Sequence, residues 1–243
     1  MKLLMISGDR SILMGKRGPF WYMLQEFRKH WERIDIICPK VEGGTIELCD
    51  VSGGSYKKLH PKEEQGGEVY FHPSPRGLSF QAEWIYQQGK VLVDELHHDV
   101  MTVHEYPPFY NRIGAQKLSK ATGVPFAVEV HHIVGWPKAA NFKEWIGRLV
   151  SRFLVPHGAK KAKAVRVVNN TVYKLLKRWG IPEKKLMVVP SYYLDAETLN
   201  LDLEPPKSFD VSFCGRIVEN KGLGEILEAV ESVPGARLLV IGD

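Results

Sequence analysis

Four places in the sequence set chemically capable side chains beside turn-forming ones. His104 and Glu105 close one apolar run, and His131 and His132 close another. Glycines 8, 15 and 18 punctuate a stretch carrying Arg10, Lys16 and Arg17, and Arg216 and Lys221 precede a helical pattern. Neighbouring histidines invite metal ligation, but the spacing opposes it. A zincin helix needs two histidines at i and i+4 around a Glu, whereas His104-Glu105 runs into Tyr106, Pro107 and Pro108. Adjacent residues of a strand point to opposite faces, so His131 and His132 cannot share one ion unless the strand breaks there. No metal is therefore expected. A strand-end histidine facing a cleft can instead hydrogen-bond a phosphate or a sugar hydroxyl. The alternative is a structural histidine with its bonds satisfied.

Arg216 and Lys221 lie between a strand ending at Cys214-Gly215 and a helix beginning at Gly222 or Leu223. An Arg fork, a Lys point charge and free helix N–H groups together suit a diphosphate. Two solvated loop cations are the plainer reading. The first glycine loop lacks G-x-G-x-x-G spacing. Its helix N-terminus can still favour a phosphate, by about 0.3–1 kcal/mol, or the loop is a turn with exposed cations.

These residues all sit where strands are expected to end. Residues 2–7 read as a strand. A helix over 20–31 places Phe20, Met23, Leu24, Phe27 and Trp31 on one face. Strands are expected at 33–39, 69–75, 99–105, 125–133, 164–170 and 185–191. Helices are expected at 78–98 (weakened by Gly89), 112–123 (stopped by Gly123), 142–162 and 171–180. The Gly-, Lys- and Glu-rich segment 41–67 reads as a loop or irregular hairpin. A polar, proline-bearing stretch near 195–208 reads as a linker, and 209–243 as one more βαβ unit. Alternation of strand and helix means α/β, a doubly wound parallel sheet. In such sheets ligands bind beyond the carboxyl ends of the strands. Two strands and one helix cannot cover both faces of a parallel sheet. The last unit must then pack on something else or lack the rest of its domain.

Composition bounds the rest. The chain has 243 residues and a net charge of +5, with 44% hydrophobic and 25% charged residues. That excludes a disordered or collagen-like chain. The three cysteines, Cys38, Cys49 and Cys214, are odd in number and far apart, which fits a reducing compartment. No apolar run approaches the ~18 residues a membrane span needs, and MKLLMISGDR reads as a strand rather than a signal peptide. A cytoplasmic protein is expected. No aromatic-lined basic stripe suggests nucleic acid. The helix at 142–162 carries Phe142, Trp145, Ile146, Leu149, Val150 and Phe153 on one stripe. The favoured reading packs that stripe on the sheet. The other lays it on an anionic membrane.

The segment GRIVENKGLGEILEAV resembles the G-R-x-x-x-x-K-G segment of retaining glycosyltransferases of the GT-B fold, the large family-four type. VEVHH resembles that family's strand whose terminal His reaches the donor sugar, and GKRGPFWYMLQEF its first glycine-rich loop and helix. AVRVVNNTVYKLLKRWGIPEKKLMVVPSYYLD and ARLLVIGD resemble further family strands and helices. The resemblance covers most of the chain. It implies a Rossmann-like acceptor-side domain at 1–195, a linker at 196–208 and the opening of a donor-side domain at 209–243. It implies that Arg216, Lys221 and Gly18 bind the donor diphosphate and that His131 is catalytic, with Gly15, His104, Glu105 and His132 as cleft residues. The implied reaction moves a sugar from a nucleoside-diphosphate sugar to a glycan or lipid-linked acceptor with retention and without metal or cofactor. Partners would be that donor, that acceptor and, peripherally, the inner face of a membrane. Three departures stand out. Arg17-Gly18 replaces Gly-Gly, Ser191 to Asp195 lack Asn-Gly, and Asp243 precedes the family's E-x7-E motif. The short chain is therefore expected to have weak activity alone, or to be a non-catalytic acceptor-binding module needing a partner.

Overall fold

The computed structural model describes residues 1–43, 48–50, 57–60, 65–190 and 207–242. It divides into two compact units, one of residues 1–133 and 150–193, the other of 134–149 and 194–243. The linker expected near 195–208 falls almost wholly outside the described residues.

The strands of the first unit are β1 (Lys2–Ile6), β2 (Arg33–Cys38), β3 (Cys49–Asp50), β4 (Lys57–Leu59), β5 (Glu68–Pro73), β6 (Val100–His104), β7 (Phe126–Val130), β8 (Ala164–Val167) and β9 (Leu186–Val188). They form one sheet in the order β3-β4-β5-β2-β1-β6-β7-β8-β9. From β5 to β9 every neighbouring pair is parallel, with β1 inside. Leu3, Leu4, Met5 and Ile6 are all buried, as a strand covered on both faces requires. Of segment 41–67, expected as a loop or irregular hairpin, the described residues include an antiparallel strand pair, as a hairpin requires. Part of it extends the sheet, through β3 and β4, as an antiparallel edge. Leu48, Cys49 and Leu59 drive this by burying themselves in the core under α1 (Pro19–Phe27).

The first helix ends at Phe27, not Trp31. Arg28 turns inward instead, donating from Nε to the Gly67 carbonyl at 2.9 Å and from Nη1 to that of Gln65 at 2.8 Å. The next two helices are α2 (Gln81–Leu96) and α3 (Tyr110–Thr122). Gly89 does not break α2. It is a contact point, where a Cβ would collide with the tip of Leu118 on α3. Across from it, a Cβ at Gly114 would lie 2.7 Å from the Ala82 carbonyl oxygen and 2.7 Å from Ile85 Cβ. Gly123 closes α3 in the left-handed region, as its position implied, with its N–H on the Ser119 carbonyl. The strand expected over 125–133 stops at Val130, so His131 and His132 lie just past its end.

One helix, α4 (Phe142–Lys161), carries residues of both units. Asn141 Oδ1 accepts from the Glu144 N–H at 3.0 Å, and Glu144 Oε2 accepts from the Ala140 N–H at 2.8 Å. That exchange starts the helix in the manner of a capping box. α5 (Asn170–Arg178) begins where Asn169 Oδ1 accepts from Val172 N–H at 2.9 Å. The side chain of Asn169 thus ends the preceding strand earlier than expected.

In the second unit, β10 (Val211–Cys214), α6 (Leu223–Glu231) and β11 (Leu238–Ile241) form the expected βαβ, with β10 and β11 parallel. Among its described residues, Phe213 is the one buried hydrophobic side chain. The 134–149 segment is tied to it through Asn220 Nδ2, which donates to Glu144 Oε2 at 3.4 Å.

A buried charge that the sequence reading passed over lies in the core. Asp35 of β2 is fully buried and accepts from His72 Nε2 at 2.8 Å, His98 Nε2 at 2.9 Å and Arg33 Nε at 2.7 Å. Burial alone would raise its pKa. The hydrogen bonds from His72, His98 and Arg33 outweigh burial and hold the carboxyl well below the usual range. Asp35→Ala should cost about 3–5 kcal/mol in urea unfolding, because it strands buried donors. Because the folded pKa is depressed, the stability from Asp35 is complete above its unfolded pKa of about 3.9 and is lost as pH falls below it. Gly114→Ala should destabilise by about 1–3 kcal/mol, since backbone must move. Gly89→Ala should cost less, because only the end of Leu118 must shift. Equal losses in the two variants would contradict this account of the helix contact.

Candidate functional site

The carboxyl ends of β1, β6, β7 and β8 carry a row of polar side chains. The parallel register pairs His104 on β6 with Glu129 on β7, and Glu129 with Arg166 on β8. Ser7, next after β1, completes the row with its Oγ 3.0 Å from His104 Nδ1. His131 follows Glu129 by two residues and returns to it, with Nε2 3.4 Å from Glu129 Oε2. The guanidinium of Arg166 donates through Nη1 to the same oxygen. His104 Nε2 is buried without a hydrogen-bond partner, 3.8 Å from Glu129 Oε1. The two imidazoles lie 5.1 Å apart between ring centres.

The charges of this row are set by burial and by each other. Burial pushes the Glu129 carboxyl up, but the hydrogen bond with His131 and the charges of His104, Arg166 and His131 prevail and hold it at about 2. Burial pushes His104 down, more than Glu129 pulls it up. Beside the row, Glu105 accepts from Arg112 Nε at 2.7 Å. Burial pushes Glu105 up to about 7 against the pull of Arg112.

This edge opens on a cleft of about 820 Å³ lying wholly in the first unit. Gly8, Asp9, Arg10 and Met14 line it from the first loop, and Pro39 to Glu42 from the loop after β2. Gly77 and Leu78 add a third side, and His104, Glu105, Tyr106, Glu129, His131 and His132 form the rest. Gly8 is packed so closely on the Tyr106 ring that a Cβ there would collide with it.

The structure therefore brings His104, Glu105, His131 and His132 to one cleft. Gly15 and Gly18 lie in the same first loop but do not line it. Gly15 is left-handed (φ 75°) and ends a single 3-10 turn, while Gly18 caps α1 in open space. Arg216 and Lys221 belong to the second unit. Both are exposed, in the loop between β10 and α6. Glu129 and Arg166 escaped the sequence reading. The period of two in VEVHH does put Glu129 and His131 on one side, but Arg166 and His104 come from other strands. His104, Glu129 and His131 each offer a ligand atom within 4.8 Å of the others, close enough for one cation. They also offer a lone pair, a carboxylate and a second imidazole to the hydroxyls of a bound sugar.

Residues 22–191 match the sequence profile of a glycosyl transferase 4-like domain. Comparison with curated proteins found no match. Similar solved structures include sucrose-phosphate synthase from Thermosynechococcus elongatus, with a TM-score of 0.63 at 14% identity over 98% of this chain and 61% of that one. Anabaena HepE in complex with UDP and glucose gives 0.60 at 13% identity over 100% and 60%. UDP-GlcNAc 2-epimerase from Neisseria meningitidis bound to UDP-GlcNAc gives 0.51 at 12% identity over 100% and 66%. The chain thus spans less than two thirds of each of these structures. At such identities the likeness is one of fold, Rossmann-like and of the GT-B type.

Glu129→Gln removes the charge at the centre of the row. The His104 pKa, followed by NMR of its ring protons, should then fall further, and stability should drop by about 1–3 kcal/mol as Arg166 loses its ion pair. An unmoved His104 titration would mean that Glu129 does not set the charge of this edge.

Proposed function

This chain belongs to the glycosyl transferase 4-like domain family, and we propose that it serves the transfer of a sugar from a nucleoside diphosphate to a glycan or lipid-linked acceptor. The observation that carries this reading is the cleft at the carboxyl ends of β6 and β7, where His104, Glu129 and His131 converge. These three side chains lie within the family match and where α/β sheets hold their ligands. UDP and glucose in the HepE structure, and UDP-GlcNAc in the epimerase, support a nucleotide-sugar ligand.

In this reading residues 1–195 form the acceptor-side domain and 209–243 belong to the donor-side domain. The bond from the sugar C1 to the leaving phosphate oxygen breaks, and a bond from C1 to the acceptor oxygen forms. The acceptor proton passes to the leaving diphosphate. The transferred sugar keeps its configuration. His131 contacts the sugar. Arg216 and Lys221 neutralise the charge that develops on the diphosphate, the task a metal ion performs elsewhere. Gly18 lets backbone N–H groups approach a phosphate. A second reading, a non-catalytic acceptor-binding module, is favoured by one fact: every residue lining the cleft belongs to the first unit.

Calorimetric titration with UDP and GDP separates the two. The transferase reading expects saturable binding of one nucleotide, weakened roughly tenfold to a hundredfold in Arg216→Ala/Lys221→Ala by loss of charge-assisted hydrogen bonds. Binding that the variant retains would remove Arg216 and Lys221 from the donor site. No binding of either nucleotide would favour the acceptor module.

A further inference from the structure

Within the polar row at the strand ends, His104 Nε2 stays buried and without a hydrogen-bond partner. The ring is held from two sides. Phe20 packs against it edge-on, with centres 6.0 Å apart, and Ser7 Oγ lies 3.0 Å from Nδ1. Ser7 Oγ also accepts from the Asp9 N–H at 3.1 Å. Glu129 Oε1 stands 3.8 Å from Nε2, beyond hydrogen-bond range. Neither tautomer satisfies the ring. A proton on Nε2 reaches no acceptor. A proton on Nδ1, donated to Ser7 Oγ, leaves the Nε2 lone pair facing a carboxylate. That second arrangement is repulsive unless a cation lies between the two.

His131 supplies a third donor. Its Nε2 is 3.4 Å from Glu129 Oε2, and its side chain is 37% exposed. Ligand atoms of His104, Glu129 and His131 all fall within 4.8 Å of one another. Around a tetrahedral ion of zinc size they stand about 3.3 Å apart. The widest gap therefore closes by about 1.5 Å, which a swing of the partly exposed His131 ring supplies. The outer contacts are those that orient metal ligands. Ser7 backs the other nitrogen of His104. Arg166 occupies Glu129 Oε2 and is itself bonded to the carbonyls of Val189 and Pro190. Oε1 keeps its lone pairs for the ion. All these residues belong to the first unit, and the three ligands line its cleft. Two imidazoles and one carboxylate suit zinc, whereas magnesium and calcium seek oxygen ligands. The sequence spacing pointed away from a metal because it sets neighbours together, His104 with Glu105 and His131 with His132. The set that converges comes from two strands.

We propose that His104, Glu129 and His131 bind one divalent ion of the zinc class, with a fourth position open to the cleft for a water or a ligand oxygen. The site involves neither Arg216 nor Lys221 and stands whichever functional reading holds. Calorimetric titration of the untagged full chain with zinc chloride tests it, with the visible absorption of bound cobalt(II) as a second readout. The expected result is one equivalent bound in the micromolar range, because the charge of Arg166 opposes a second cation. Affinity should fall roughly a hundredfold or more in His104→Ala and in His131→Ala, and roughly tenfold to a hundredfold in Ser7→Ala. The cobalt(II) bands should vanish in the two histidine variants. Excess magnesium should leave zinc binding unchanged. Cys214→Ser and His157→Ala, which remove an exposed thiol and an exposed imidazole elsewhere, should bind as the wild type does. His131→Ala alters a partly exposed side chain and should keep the wild-type circular dichroism, so it decides the matter even if His104→Ala does not fold. Absence of saturable zinc binding would overturn the proposal. So would binding that His131→Ala retains, that magnesium displaces, or that is lost with Cys214 or His157.

Discussion

The ion pair between Glu129 and Arg166 sits beside two imidazoles, and the register of parallel strands holds it there. A one-residue slip of β7 would send Glu129 to the other face and leave Arg166 unpaired. The alternation of β6, β7 and β8 opposes that slip, because it would turn the buried set Met101, Val103, Val128, Val130, Val165 and Val167 out of register with itself. The site is thus a product of the core. The same strands that bury Met101, Val103, Val128 and Val130 deliver His104 and Glu129 to neighbouring positions at the sheet's edge. A carboxylate is tolerable there only because Arg166 and the histidines surround it.

What could be read from the residues, and what could not, follows from how far apart the interacting partners are in the chain. Alternation of strand and helix, the glycine stop at 123 and the strand-end histidines are local patterns, and they were legible. Asp35 and Glu129 are not. Each is one acid inside an apolar run, and each depends on partners from other strands. For Asp35 the nearest, Arg33, was visible at two residues' distance, but His72 and His98 lie 37 and 63 residues away. Gly89 looked like a weakness in a helix because its contact, Leu118, lies on the next one. The stripe of α4 was also plain in the sequence. Its direction was not. Phe142, Trp145 and Phe153 are exposed rather than packed on the sheet, and it is the small Gly158 that meets Arg112.

The family assignment and the motif that first suggested it rest on different parts of the chain. The profile covers 22–191, which includes His104, Glu129 and His131 but not the first loop that also lines the cleft. The Arg216–Lys221 segment lies beyond it, in the second unit. The family assignment thus rests on the first stretch, and the resemblance of the second stands apart from it. The first carries its own support in geometry, through the polar row. The second carries a loop whose cations are exposed and whose helix begins at a left-handed Gly222.

Phe213 has a further consequence for how the molecule breathes. A pair of parallel strands anchored by one buried ring holds its ladder with little help from packing. Opening β10 from β11 exposes little new apolar surface, so the cost of that fluctuation stays far below global unfolding. Backbone amides of these two strands should trade hydrogen for deuterium early, while those of β1 and β2 wait for the whole first unit to unfold. The chain then has two clocks, and the loop bearing Arg216 and Lys221 runs on the faster one.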